Sequence, residues 1–490
     1  MKRIELILFF PIICLLYFPD ALGQNHIQPL SNLNNNNKPN ILLIFVDDMG
    51  YGDLSCYGAQ DVKTPNIDKI ASDGLRCTDF HVAAPVCGPS RAALMTGRYP
   101  MRCGQPGFPG TQSKTLQYEF KGLHPDETTI ASLLKEQAYA TMCIGKWHLG
   151  LDDGFHPTDR GFDEFYGIES NWVTHAPAYR HLYEGKEMVE EDVVFETLME
   201  KYTKRAIRFM TENKDEPFFL YLAHNAVHSP ILPSDGFKGT SKGSLYGDYV
   251  QELDHYVGKV MDALDKLKMA KNTMVIFLSD NGPAICHFGG SAGPLNGGKY
   301  CTMEGGFRIP AIFRWRGKIA EGDCNTRLSS MDLFPTIAAL AGAEMPKDRI
   351  YDGGDILPIL EAGKGEPTQE YYYYYNGMNL QAVRKGPWKL HLPRTLEDQP
   401  FWSQKTKEKP FSGNYLKNIS CKGLEALTKT LLFNLDTDMG ELQNVSKQHP
   451  EIVEELLEEA DRVRAELGDV NVIGSDQRVP PFENIQENEQ

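Results

Sequence analysis

At 490 residues the chain is too long for one typical hydrophobic core, so one large and one smaller domain are expected. Its formal net charge of -16 argues against general binding to nucleic acid or to anionic membrane surfaces. Any anion site must therefore be a local basic pocket, which makes clustered Lys, Arg and His the informative residues.

Residues 1–23 read as an export signal. Lys2 and Arg3 precede an almost wholly apolar run from Ile4 to Phe18, and Ala21-Leu22-Gly23 is a small-x-small cleavage site. A membrane anchor is the competing reading, but the run falls short of the ~20 residues a span needs. No later stretch is long and apolar enough to cross a bilayer, so the expected protein is exported: periplasmic or secreted, or lysosomal or extracellular in a eukaryote. Cys14 would leave with the signal. Residues 24–38, with Asn34-Asn35-Asn36-Asn37, read as a flexible lead-in.

Ile41-Leu42-Leu43-Ile44-Phe45-Val46 is a short apolar run rich in β-formers, read as a strand buried on both faces. It ends in Asp47-Asp48, and the carboxyl end of a central strand is where open α/β sheets place their sites. Ala84 to Arg98 reads as a loop turning into a helix. Pro89 suits the first turn, Ala92-Ala93-Leu94-Met95 are good helix formers, and Gly97 is placed to end it. Cys87 is thus expected just ahead of a helix N-terminus, where backbone N–H groups favour anions, with Arg91 adding positive charge one turn on. A nucleophile at an anion site suggests attack on a charged ester.

Residues 127–137 have helical spacing, and the strand Ala140–Ile144 leads into Gly145-Lys146-Trp147-His148-Leu149-Gly150. Lys146 and His148 project to one side if the chain stays extended. A helical pattern over 195–212 precedes a buried strand, Pro217–Ala223, which runs into His224-Asn225-Ala226-Val227-His228-Ser229-Pro230. The next helix, 247–268, puts Tyr249, Leu253, Val257, Val260, Met261 and Leu264 on one face. The strand Met274–Leu278 ends in Ser279-Asp280-Asn281-Gly282, the second strand to finish in carboxylate or carboxamide oxygens. Asp47, Asp48, Asp280 and Asn281 are hard oxygen ligands that suit Ca²⁺ or Mg²⁺ rather than zinc, with Ca²⁺ slightly favoured by its flexible coordination. Gly297-Gly298-Lys299 follows, and Met331–Ile337 opens another helix.

Composition changes after about residue 365. Tyr371–Tyr375, Ala382–Arg384, Trp388–Leu392 and Leu431–Leu435 read as short strands, and an acidic helix with an apolar stripe spans 449–466. The expected architecture is α/β, with a large, mostly parallel mixed sheet sandwiched by helices over 39–365. A smaller antiparallel sheet with a packed helix occupies 366–475, and a flexible tail 476–490. The five tyrosines either alternate between core and surface or line a substrate mouth. With Cys87 set aside, Cys56, 77, 103, 143, 286, 301, 324 and 421 remain, an even number that permits disulfides in an exported protein. Asn418-Ile419-Ser420 and Asn444-Val445-Ser446 are glycosylation sequons, meaningful only in a eukaryotic source.

Several stretches together resemble the sulfatases. Cys87-Gly88-Pro89-Ser90-Arg91 is similar to the family signature in which the cysteine is oxidised to formylglycine. Asp47 to Leu54 with Thr64-Pro65-Asn66-Ile67-Asp68, Gly145-Lys146-Trp147-His148, His228-Ser229-Pro230 and Gly297-Gly298-Lys299 occur in the family order. The resemblance implies a hydrolase of O-sulfate esters holding one Ca²⁺ through Asp47, Asp48, Asp280 and Asn281, with the modified Cys87 completing the shell. It implies that one hydroxyl of the hydrated formylglycine attacks sulfur, favoured by the metal and Arg91. Lys146 and Lys299 neutralise the sulfate, His228 with Lys299 serves the departing alcohol, and His148 deprotonates the second hydroxyl. Ser170 or Asn171 supplies a further sulfate contact. The implied partners are a sulfated carbohydrate or polysaccharide and a formylglycine-generating maturation enzyme. Loops at 104–120, 172–192 and 393–417 are expected to set specificity. A phosphate or phosphonate monoester hydrolase of the same fold, and a sulfated-glycan binding protein without turnover, are the competing readings.

Overall fold

The run Asn40–Val46 is a central strand, and every one of its side chains is buried. Ile41, Leu43 and Phe45 enter one apolar cluster and Leu42, Ile44 and Val46 the other, on opposite faces of the sheet. Each such side chain contributes roughly 1.5–3 kcal/mol by leaving water, which is why the run carries no polar alternation. The computed structural model describes residues 38–107, 109, 111–113, 118–170, 181–242, 244–285, 289–395 and 426–478. The expected signal, the lead-in up to residue 37, Asn171, Cys286, Cys421, the sequon at Asn418, parts of the expected specificity loops 104–120 and 172–192, most of the loop 393–417 and the tail beyond 478 lie outside the described residues.

The large sheet has ten strands. Its middle five run parallel, in the spatial order Thr273–Ser279, Asn40–Val46, Phe218–Ala223, Ala140–Lys146 and Glu164–Ile168. Antiparallel neighbours flank them: Ala311–Arg314 on one side, Leu182–Glu184 and Glu187–Glu190 on the other. The helices Cys87–Thr96, Ile130–Glu136 and Leu333–Ala341 cover one face. The helices Pro65–Ser72, Leu198–Glu212 and Leu245–Lys266 cover the other. The register decides where chemistry can occur. Val46 pairs with Ser279 and Phe45 with Ala223, which in turn pairs with Gly145. Four strand tips therefore end at one edge, bringing Asp47, Asp280, Lys146 and the 224–230 segment together.

Helix boundaries shift slightly from the sequence reading. The 127–137 helix begins at Ile130 because Thr129 caps it, its hydroxyl accepting from the Ser132 N–H. Residues 195–197 form a 3₁₀ turn before Leu198–Glu212. Cys87 is the first residue of its helix rather than the residue ahead of it, and Gly97 ends that helix in the left-handed conformation.

The smaller sheet is antiparallel, with strands Tyr371–Asn376, Asn379–Lys385, Trp388–His391 and Leu431–Asn434 in that order, and the helix Pro450–Leu467 packs on it. The tyrosine run belongs to the packing. Tyr372, Tyr374 and Tyr375 are buried, and a register shift between Tyr374 and Tyr375 turns two consecutive rings inward. Tyr371 and Tyr373 point to Glu455 and Glu459 of the helix. Cys56, 77, 87, 103, 143, 301 and 324 are free thiols, so no disulfide forms among the described residues. Among those residues no helix is long and apolar enough to cross a membrane.

Candidate active site

Asp48 follows the central strand with φ +62, a left-handed turn that aims its carboxylate back at the neighbouring strand tip. Its N–H donates to Asp280 Oδ1 (3.1 Å), and its Oδ1 accepts from Asn281 Nδ2 (2.8 Å). The Cys87 thiol lies 3.9 Å from the same Oδ1. Lys299 Nζ is 2.6 Å from Asp48 Oδ1 and 3.2 Å from Cys87 Sγ, and Lys146 Nζ is 2.5 Å from Asp47 Oδ2. His228 Nε2 stands 3.7 Å from Asp48 Oδ2. The side chains of Asp47, Asp48, Cys87, Arg91, Lys146, Lys299, Asp280 and Asn281 are all buried.

With its acids ionised, the site holds three carboxylates (Asp47, Asp48, Asp280) against three cations (Arg91, Lys146, Lys299). Burial would raise the Asp47 carboxyl, but Lys146, His228, Arg91 and Lys299 hold it well below the usual range. Asp280 goes the other way, to about 7, through burial and then the charge of Asp47. Burial, with Asp280 and Asp47 adding to it, pushes the Cys87 thiol up. An unmodified thiol here stays protonated, which is a poor state for a nucleophile. His228 is lowered to about 4 by burial and by Lys299, and His148 well below its usual value by burial, Lys146 and Arg91. Both rings are neutral at rest. His228 Nδ1 lies 2.6 Å from the Ser229 carbonyl, to which it donates, leaving Nε2 as the proton-accepting nitrogen of the neutral ring.

The donor set fits a hard divalent cation. Asp47 Oδ1, Asp48 Oδ2 and Asn281 Oδ1 are buried and accept no hydrogen bond from any described residue. Such orphaned oxygens are costly unless a cation meets them. One ligand atom from each of Asp47, Asp48, Cys87 and Asp280 can lie within 4.8 Å of all the others. A divalent ion would turn a neutral cluster into one of charge about +2, suited to an ester anion in an otherwise acidic protein.

Two expectations change in detail. Arg91 does not face outward as an anion-binding charge. Its Nη2 and Nε hold Asp280 Oδ2 (2.7 and 3.1 Å) and its Nη1 the Lys146 carbonyl (2.9 Å), because the helix presses that face onto the strand tips. The chain does not stay extended from Lys146 to His148: the strand ends at Lys146, and His148 takes φ +59 with its N–H on the Glu169 carbonyl (2.8 Å). Its ring still lies among the charges of Lys146, Arg91, Asp47 and Lys299. Ser170 is buried beside this segment, after the strand Glu164–Ile168. His224 is fully buried and packs on Tyr202, as a supporting core residue would.

One supporting residue escaped the sequence reading, although it stands in the stretch Asp47 to Leu54. The Asp53 carboxylate accepts from the Gly50 N–H (2.7 Å), the Ser291 N–H (2.7 Å) and the Tyr246 hydroxyl (2.6 Å), tying the loop after Asp48 to two distant segments. Its burial raises it to about 7.

Comparison with known proteins agrees with this geometry. Residues 39–343 match the sulfatase family, and residues 367–487 match the C-terminal region of aryl-sulfatase. The chain is 38% identical over 432 residues to the N-acetylgalactosamine-6-sulfatase of Canis lupus familiaris, covering 82% of this chain and 81% of that protein. It is 37% identical over 430 residues to the arylsulfatase of Hemicentrotus pulcherrimus, covering 82% and 77%. The crystal structure of Ps i-CgsB superposes with a TM-score of 0.73 at 30% identity, over 91% of this chain and 95% of that one. On the fold, the carboxylate-lined strand tips around Cys87 and these matches together, the chain belongs to the sulfatase family of sulfuric ester hydrolases.

Proposed function

We propose that this chain releases sulfate from O-sulfate esters of a sulfated carbohydrate, using a formylglycine made from Cys87 by a maturation enzyme and one Ca²⁺. The observation that carries the reading is the set of buried oxygens of Asp47, Asp48 and Asn281 that accept no hydrogen bond from a described residue, gathered around Cys87 and two lysines. Asp47, Asp48, Asp280 and Asn281 would hold the cation, with position 87 completing the shell. When both are in place, the ion and the hydrated aldehyde would supply a nucleophilic hydroxyl and a second, ionisable hydroxyl on the same carbon.

The chain's own residues do the rest. Lys146 and Lys299 are the two buried ammonium groups able to meet sulfate oxygens, and Ser170 and Asn171 are proposed as further contacts. His148, neutral through burial, is the base for the second hydroxyl. His228 and Lys299 attend the departing oxygen. The arriving sulfate monoanion supplies the negative charge that raises His228 towards its protonated, donating form. Arg91 keeps Asp280 and the Lys146 strand end in register.

The carbohydrate reading is supported by the named relatives: an N-acetylgalactosamine-6-sulfatase, and Ps i-CgsB solved also with k-i-k-neocarrahexaose. We further propose a division into a catalytic part, 39–365, and a C-terminal part, 366–475, and export through the cleaved segment 1–23. The test pairs mass spectrometry of the peptide bearing position 87 with sulfate release by wild type and Cys87→Ala. Substrates span an aryl sulfate, N-acetylgalactosamine 6-sulfate, a sulfated galactan oligosaccharide, a sterol sulfate and an aryl phosphate. An aldehyde at position 87, release from the sugar sulfates and none from Cys87→Ala are expected. Active protein with an unmodified cysteine ends the mechanism, and preference for the aryl phosphate ends the substrate class.

A further inference from the structure

The segment that carries Lys299 is held largely by the C-terminal part of the chain. Asn296 Nδ2 donates to the Gly440 carbonyl, Thr302 Oγ1 to Gln381 Oε1 (3.0 Å), and the Glu304 N–H to Glu441 Oε2 (2.6 Å). At its centre stands Tyr300, a non-glycine residue at φ +75. That conformation is costly for an L side chain and persists only where surrounding contacts impose it. Two contacts flank the turn from the catalytic side: Lys299 N–H to the Pro283 carbonyl (2.9 Å), and Tyr300 N–H to the Pro85 carbonyl (2.9 Å), two residues before Cys87. The Tyr300 carbonyl itself accepts from Asn376 Nδ2 (2.7 Å).

Asn376 is fully buried at the end of the first strand of the small sheet. Gly377, at φ +63, turns the chain at once into the next strand, where Asn379 pairs with Asn376. The hairpin therefore fixes where the carboxamide can reach. Glu304, Lys389 and Glu441 close by form a buried ionic group, and removing one member would leave uncompensated charge in the core. Asn376 contributes a neutral hydrogen bond whose loss the fold can survive.

We propose that Asn376 is a positioning residue for Lys299: by holding the Tyr300 carbonyl it maintains the left-handed turn from which the Lys299 ammonium reaches Asp48 and position 87. The C-terminal sheet is then part of the catalytic apparatus. This rests on the reading of Lys299 as a sulfate-contacting residue.

The test uses the full-length mature enzyme and its Asn376→Ala, Asn376→Ser, Lys299→Ala and Asn376→Ala/Lys299→Ala variants. With Lys299 present, Asn376→Ala lowers kcat/KM for an aryl sulfate about tenfold, and Asn376→Ser, which keeps a donor, recovers most of it. With Lys299 already removed, Asn376→Ala costs less than about twofold, because the group it positions is gone. In a crystal structure of Asn376→Ala, Lys299 Nζ moves out of hydrogen-bond distance of Asp48. The same fold-loss in both backgrounds, as a general loosening would give, or an unmoved Lys299 overturns the proposal. An enzyme that releases no sulfate in any form refutes the proposed function instead, and the crystal structure still decides the positioning.

Discussion

Arg91 directs two nitrogens onto one oxygen of Asp280, Nη2 at 2.7 Å and Nε at 3.1 Å, with both side chains fully buried. Burial works against the guanidinium charge, but Asp280 and Asp47 raise its proton affinity, so it is permanently cationic. Beneath the acidic strand tips it acts as their internal counter-ion.

Removing that counter-ion takes away the two hydrogen bonds on Asp280 Oδ2 and pushes its carboxyl, already at about 7, further up, so that the buried group takes up a proton. Arg91→Ala is expected to cost about 3–5 kcal/mol, read as a lower urea midpoint at unchanged slope. Arg91→Lys restores the charge but cannot serve Asp280 and the Lys146 carbonyl together, so only part of the loss returns. Full recovery by lysine would mean that charge alone matters.

Calcium should stabilise the fold through the orphaned oxygens. At a free concentration near 100 times Kd the gain is about 2.7 kcal/mol, seen as a rise in Tm that a chelator reverses. Asp48→Asn and Asp280→Asn should abolish the calcium-dependent rise. A rise of equal size in these variants would place the ion elsewhere.

His224 gives the fold an acid sensitivity of its own. Neither ring nitrogen bonds to any described residue, and burial lowers the ring to about 4. The unfolded chain takes up a proton near pH ~6.5, the folded chain only near 4. Between these values the unfolded state binds more protons, so stability falls as pH drops, by roughly 3 kcal/mol in all. His224→Phe should remove about one proton's worth of slope from stability against pH in this window. Unfolding curves with identical slopes for the two proteins would refute it.

Lys389 sits between Glu304 Oε1 (2.9 Å) and Glu441 Oε1 (3.0 Å), 3.9 Å from the centre of the Tyr374 ring. Lys389→Met leaves two carboxylates buried together and is expected to cost about 3–5 kcal/mol. The small sheet should loosen first, exposing its hairpins to limited proteolysis before the large sheet is cut. Simultaneous cleavage of both would show that the two parts unfold as one unit.

Much of the site was legible in the sequence because local chemistry announced it. A strand buried on both faces must be a continuous apolar run, so Ile41–Val46 and Met274–Leu278 stood out, and their acidic ends marked the site. Gly97 after a stretch of good helix formers likewise located the end of the Cys87 helix. The two consecutive buried tyrosines were not legible, since a register shift between paired strands put them there.

By itself, then, the sequence determined which segments are strands and helices, which tips are acidic, and that Cys87 stands at a helix start, because those properties depend on neighbouring residues. Tertiary structure alone decided that Arg91 turns inward to Asp280, that His148 leaves the extended path, and that Asn376 reaches the Tyr300 carbonyl. These contacts join residues 189 and 76 positions apart in the case of Arg91 and Asn376. No local propensity encodes such a meeting; it follows from how parallel strands align their tips and how the small sheet packs against the Cys87 helix and the segments beside it.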